Sequence, residues 1–141
     1  MHYLHRSLCS KIATTAPTEC TVADTYYKAA GTFVRESCGF EINDNVIEYL
    51  GQHTHFYTIM TGVISSDTNN VDVQLAHKKN DSIDPNAVVP VTITTPDQTK
   101  FFTIIDTMPL SDGDTIEFML KANKVCNITV ESFSAIVRNV Y

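Results

Sequence analysis

From Thr25 onward, apolar and polar positions alternate with a period of two. In residues 113–121, Ile116, Phe118 and Leu120 fall on one side and Thr115, Glu117, Met119 and Lys121 on the other. That is the pattern of a half-buried strand, and Pro109 with the Ser111-Asp112-Gly113 cluster places a tight turn ahead of it. Residues 70–78 alternate as cleanly, with Val71, Val73 and Leu75 opposite Asp72, Gln74 and Ala76. Further strands are predicted over 25–34, 45–50, 54–66, 88–95, 98–108 and 126–138, separated by polar clusters at 43–45, 67–70 and 79–86. Pro90 assigns 88–95 to a sheet edge, because proline cannot donate to a ladder. Seven to nine short strands without a long helical period predict an all-β fold, an antiparallel sandwich of jelly-roll or immunoglobulin type.

Residues 1–24 break the pattern. Leu4, Leu8 and Ile12 recur every four residues, which fits an apolar stripe on a short helix ended by Thr14, Thr15, Pro17 and Thr18. The reading is an N-terminal arm over 1–24 and one domain over 25–141. An arm too short to bury its own apolar residues either frays or docks on a neighbouring subunit or partner.

Two strands are apolar on both faces. In 100–106, Phe101, Thr103 and Ile105 oppose Phe102, Ile104 and Asp106; in 55–64, His55, Tyr57, Ile59 and Val63 oppose Phe56, Met60 and Ile64. A sandwich strand presents one face to the core, so the second needs another cover. Burying a Phe or Ile contributes about 1.5–3 kcal/mol, so several left in water favour association. A homo-oligomer is expected, with Phe56, Tyr57, Ile59, Phe101, Phe102, Ile104 and Ile105 as candidate interface residues.

Composition narrows the classes. With 43% hydrophobic and 18% charged residues in 141, the chain reads as one folded domain with a sizeable core. No apolar run approaches the roughly 20 residues that span a bilayer, and the first residues lack the continuous apolar stretch of a signal peptide, so neither membrane insertion nor secretion by that route is expected. The net charge of −6 argues against nucleic-acid binding, which needs clustered Lys and Arg. Charge is uneven: residues 1–18 carry Arg6 and Lys11 and no acid, while all 16 acidic residues begin at Glu19. Cys9, Cys20, Cys38 and Cys126 show no zinc-ligand spacing and are read as free thiols.

Local chemistry is sparse. His53 and His55 share a strand face and could chelate a metal, and Asp106, Asp112 and Asp114 could be a calcium or acid/base cluster. The simpler readings are two histidines at a strand start and carboxylates capping a turn. Asn80-Asp81-Ser82 and Asn127-Ile128-Thr129 match the glycosylation sequon by chance in a chain without a secretion signal. His77 reads as a strand-end residue. No catalytic constellation, metal site or cofactor site is predicted, and the chain is not expected to be an enzyme.

Tyr26-Tyr27-Lys28-Ala29-Ala30-Gly31-Thr32, then Phe40 and Ile42, then Ile47-Glu48-Tyr49-Leu50-Gly51, and finally Leu110-Ser111-Asp112-Gly113-Asp114-Thr115-Ile116-Glu117 occur in an order that resembles the tumour-necrosis-factor-like (TNF-like) jelly rolls of bacteriophage structural proteins. The resemblance covers residues 25–138. It implies a jelly-roll protomer closed into a homotrimer and displayed on a virion as a decoration, cement or head-fibre protein made in the host cytoplasm. Its partner would be the major capsid protein or a neighbouring virion protein. On that reading the arm grips the shell through Leu4, Arg6, Leu8, Lys11 and Ile12. The alternative on the same fold is a receptor- or glycan-binding tip of a tail fibre. A secreted TNF-type ligand and a jelly-roll metalloenzyme are weaker alternatives.

Overall fold

The computed structural model describes residues 7–139, with residues 35–38 described by backbone only. Thirteen strands and one short 3-10 turn, Pro85–Ala87, make up the regular structure of these residues. One sheet holds β1 (Ser7–Thr14), β2 (Pro17–Cys20), β4 (Thr32–Cys38), β7 (Thr54–Ser66), β11 (Lys100–Leu110) and β13 (Cys126–Asn139). The other holds β3 (Thr25–Lys28), β5 (Phe40–Asn43), β6 (Val46–Tyr49), β8 (Val71–Lys79), β9 (Ser82–Ile83), β10 (Val89–Ile93) and β12 (Thr115–Ala122). The strand orders are β11-β7-β13-β1-β4, with β2 beside β13, and β10-β8-β12-β6-β5, with β3 beside β12 and β9 beside β8. The paired strands are antiparallel.

The chain crosses between sheets from β7 to β8, from β10 to β11 and from β12 to β13, which is the alternation of a jelly roll. Strand β10, with Pro90, lies at a sheet edge as expected. The strand count exceeds seven to nine because several elements are only two to four residues long. The predicted strand over 25–34 is in fact two, β3 in one sheet and β4 in the other. Gly31, at φ +110, turns the chain between them where a Cβ would press on the Thr14 carbonyl.

The core lies between the sheets. Leu8, Phe56, Met60, Ile64, Ile104 and Leu110 come from one layer and Val73, Leu75, Ile93, Ile116, Phe118 and Leu120 from the other. Ile116, Phe118 and Leu120 thus face inward as their alternation predicts. Phe102 and Phe118 stack across the layers with ring centroids 5.3 Å apart, and Phe118 meets Phe133 at 4.8 Å.

Within the segment expected to be an arm over 1–24, the described residues from 7 to 20 are strands of the sheet, not a short helix. Residues 7–14 pair with both β13 and β4, and 17–20 pair with the start of β13. Leu8 is 1% exposed, and Ser10 is fully buried with its hydroxyl donating to the Val34 carbonyl at 3.0 Å. The four-residue spacing misled because positions i and i+4 share a face in a strand as well as in a helix. Leu4 and Arg6 lie outside the described residues.

A bulge in β13 shapes the same sheet. Its register against β7 shifts between Val130 and Ser132, so Ile128 and Val130 point inward before it and Phe133, Ala135 and Val137 after it. Opposite the bulge stands Gly62, where an added Cβ would run into the Ser132 carbonyl oxygen and the Phe102 ring. Only glycine lets the three strands approach there. Cys9, Cys20 and Cys126 are free thiols, and burial, then the neighbouring Cys126, pushes the Cys20 thiol up to about 12.

Candidate functional site

The seven candidate interface residues separate by strand parity. Phe56, Phe102 and Ile104 point into the sandwich and are buried, so they are core residues and cannot meet a neighbouring subunit. Tyr57, Ile59, Phe101 and Ile105 point the other way, onto the outer face of the β11-β7-β13-β1 sheet. Phe101 is 86% exposed and Ile105 57%, the former a very large fraction for a phenylalanine. Of the arm residues, Leu8 is core, Ile12 packs partly buried against the core, and Lys11 is exposed on the outer face of β1.

Register turns these side chains into rows. Ile105 pairs with Ile59, Ile59 with Ile136 and Ile136 with Cys9, giving an apolar row across four adjacent strands. On one side Phe101 pairs with Val63 and Val63 with Ser132; on the other Thr107 pairs with Tyr57 and Tyr57 with Arg138. Between the Ile and Phe rows run Thr103, Thr61, Ser134 and Lys11, uncharged except at the end. The bulge opposite Gly62 leaves a shallow depression of about 360 Å³ on this face, bordered by Phe101, Val63, Ser132 and Lys11. Ile136 is absent from the sequence-based set because the bulge in β13 decides which of its apolar residues face out, whereas Val63 already shared a face with Tyr57 and Ile59 in the sequence.

A second cluster lies at the open flank where β11 passes β8. Along β8 the inward series Val71, Val73 and Leu75 continues to His77, near the end of the strand and fully buried. Its Nε2 is 3.1 Å from Asp106 Oδ2 on β11 and 3.9 Å from Asp84 Oδ2, while Nδ1 is buried with no hydrogen-bond partner. Asp84 caps the 3-10 turn, its Oδ1 accepting from the Asn86 backbone N–H at 2.9 Å. Burial, reinforced by the Asp84 carboxyl group, pushes the Asp106 carboxyl above its usual range. The hydrogen bond with Asp106, together with the Asn86 N–H, holds Asp84 below it.

Asp106 therefore does not join Asp112 and Asp114. The Ser111–Asp114 turn is a capped turn of its own: Asp114 Oδ2 accepts from the Ser111 N–H at 2.8 Å, and Asp112 Oδ1 from the Gly51 N–H at 3.0 Å. The Ser111 N–H also holds the Asp114 carboxyl below the ordinary range. His53 and His55 lie with ring centroids 6.0 Å apart, and His53 Nδ1 is 2.8 Å from the Ser111 hydroxyl.

This sandwich is that of the TNF-like jelly rolls. It superimposes on murine APRIL at pH 5.0 with a TM-score of 0.63 and 12% identity, covering 95% of this chain and 98% of that one. Against Eiger TNF from S. frugiperda the values are 0.56 and 8%, over 97% and 92% of the two chains. The vertex protein P5 of PRD1 is similar at 0.55 and 10%, over 99% and 100%. At these identities the likeness is one of fold. No family model matches the chain, and no curated protein matches it in sequence.

Proposed function

We propose that the chain is a non-enzymatic structural protein of a bacteriophage virion, a homotrimer whose subunits meet through the outer face of the β11-β7-β13-β1 sheet. The observation that carries this reading is the row Ile105, Ile59, Ile136 and Cys9, flanked by Phe101 and Val63, on a face that the protomer leaves exposed. Covering one Phe or Ile contributes about 1.5–3 kcal/mol, and a closed ring covers three copies of each. The virion assignment is supported by the order of the sequence motifs and by the full-length likeness to a PRD1 vertex protein.

Attachment to the shell, as a decoration or cement protein bound to the major capsid protein or a neighbour, is part of the same proposal. Leu8 and Ile12 are engaged in the protomer and Lys11 lies on the face assigned to the subunit interface, so the shell contact is placed elsewhere on the trimer. Three copies of a weak contact on one trimer would multiply through effective concentration. The test is recovery of the chain at fixed copy number in purified particles of the virus that encodes it. Recovery only in the soluble lysate would refute the assignment.

A further inference from the structure

We propose that His77, Asp84 and Asp106 bind one first-row divalent cation, Zn²⁺ in the first instance, which clips the edge strand of one sheet to the other. Three separate segments supply the donors: β8 of one layer, the turn after β9, and β11 of the other layer. One ring nitrogen and two carboxylate oxygens lie within 4.8 Å of one another. Tetrahedral donors about 2.0–2.2 Å from Zn²⁺ stand roughly 3.3–3.6 Å apart. The two distances from the ring nitrogen, 3.1 and 3.9 Å, bracket that spacing, and the partly exposed carboxylates can close on an ion by side-chain movement.

The donor set also selects the ion. An imidazole with two carboxylates suits Zn²⁺, Mn²⁺ or Fe²⁺, whereas Ca²⁺ and Mg²⁺ prefer oxygen alone. Among the described residues neither carboxylate has a Lys or Arg within ion-pair distance; His77 is the only basic group beside them. The Asn86 N–H fixes Asp84 through its other oxygen, so Oδ2 is held toward the ring. The side chain of His77 is 1% exposed and those of Asp84 and Asp106 are 25% and 15%. An ion can therefore enter from the carboxylate side and keep a water as its fourth ligand.

The buried ring adds a constraint. His77 is fully buried with Nε2 turned to both carboxylates and Nδ1 without a hydrogen-bond partner, so its imidazole donor cannot swing away into solvent. Coordination at Nε2 leaves the ring proton on Nδ1, without the second-shell acceptor that strengthens dedicated sites about 10–100-fold. The expected affinity is therefore micromolar.

The experiment is calorimetric titration of the EDTA-treated, dialysed full-length chain with ZnCl₂, paired with thermal melts. Expected are one Zn²⁺ per chain and a Tm rise of about 5 °C in excess Zn²⁺. Both should be lost in Asp84→Asn and in Asp106→Asn, with folding of each checked by circular dichroism, and kept in the His53→Ala/His55→Ala double variant. Asp84→Asn is the primary variant because its side chain is partly exposed and Asn can still accept from the Asn86 N–H. No saturable binding, or binding that survives in folded Asp84→Asn or disappears with His53 and His55, would overturn the site.

Discussion

Leu8 lies in the core on a strand flanked by β4 and β13, so truncating it removes packed carbon from between two layers. Leu8→Ala is expected to cost about 2–5 kcal/mol, read as a lower denaturant midpoint, whereas the same change on a free arm would stay within about 0.5 kcal/mol. Asp67 acts at the same scale in a turn. Its Oδ1 accepts from the Asn127 N–H at 2.8 Å and its Oδ2 from the Asn127 side-chain amide at 3.0 Å, which ties the β7–β8 turn to β13. These bonds, the backbone N–H foremost, favour the charged form and hold the carboxyl below its ordinary 3.8. A folded-state pKa lower than the unfolded one contributes stability that is full above about 3.8 and is lost as pH falls through the folded value. Asp67→Asn should therefore be less stable than wild type at pH 7, with the gap closing below pH 3.8 in acid-unfolding curves.

At the scale of elements, β1 and β2 complete the sheet beside β13. Deleting residues 1–20 should leave no cooperatively folding protein, because β13 and β4 would lose their partner and Leu8 its place in the core. A soluble, sharply melting truncation would return the segment to the status of an arm. The body strands were legible because their alternation is regular: β8, β11 and β12 read directly as two-faced strands. Strand β1 was not, because the small buried Ser10 between Leu8 and Ile12 erases the alternation on its inner face. Nor could sequence say which apolar face of β11 is core, since Phe101 and Phe102 differ only in parity and parity is set by the register with β7. His77 and Asp106, 29 residues apart and on different sheets, meet only after the sandwich closes. No local spacing marks that pair.

At the scale of the molecule, the outer face of the β11-β7-β13-β1 sheet is where the protomer has most to gain by association. Phe101 and Ile105 lie on the edge strand, while Ile59 and Ile136 continue the apolar surface inward, so a partner can cover it without disturbing the core. Replacing Phe101 and Ile105 with Asp places two charges on that surface at positions where the protomer itself needs no apolar group. The double variant should fold like wild type and fail to associate. The most direct measurement is the mass in solution, by native mass spectrometry or light scattering, of the wild type and of Phe101→Asp/Ile105→Asp. The predicted result is three times the 15.7 kDa chain mass for the wild type and one chain for the variant. A monomeric wild type, or a variant that stays trimeric, would contradict the assignment of this face as the subunit interface.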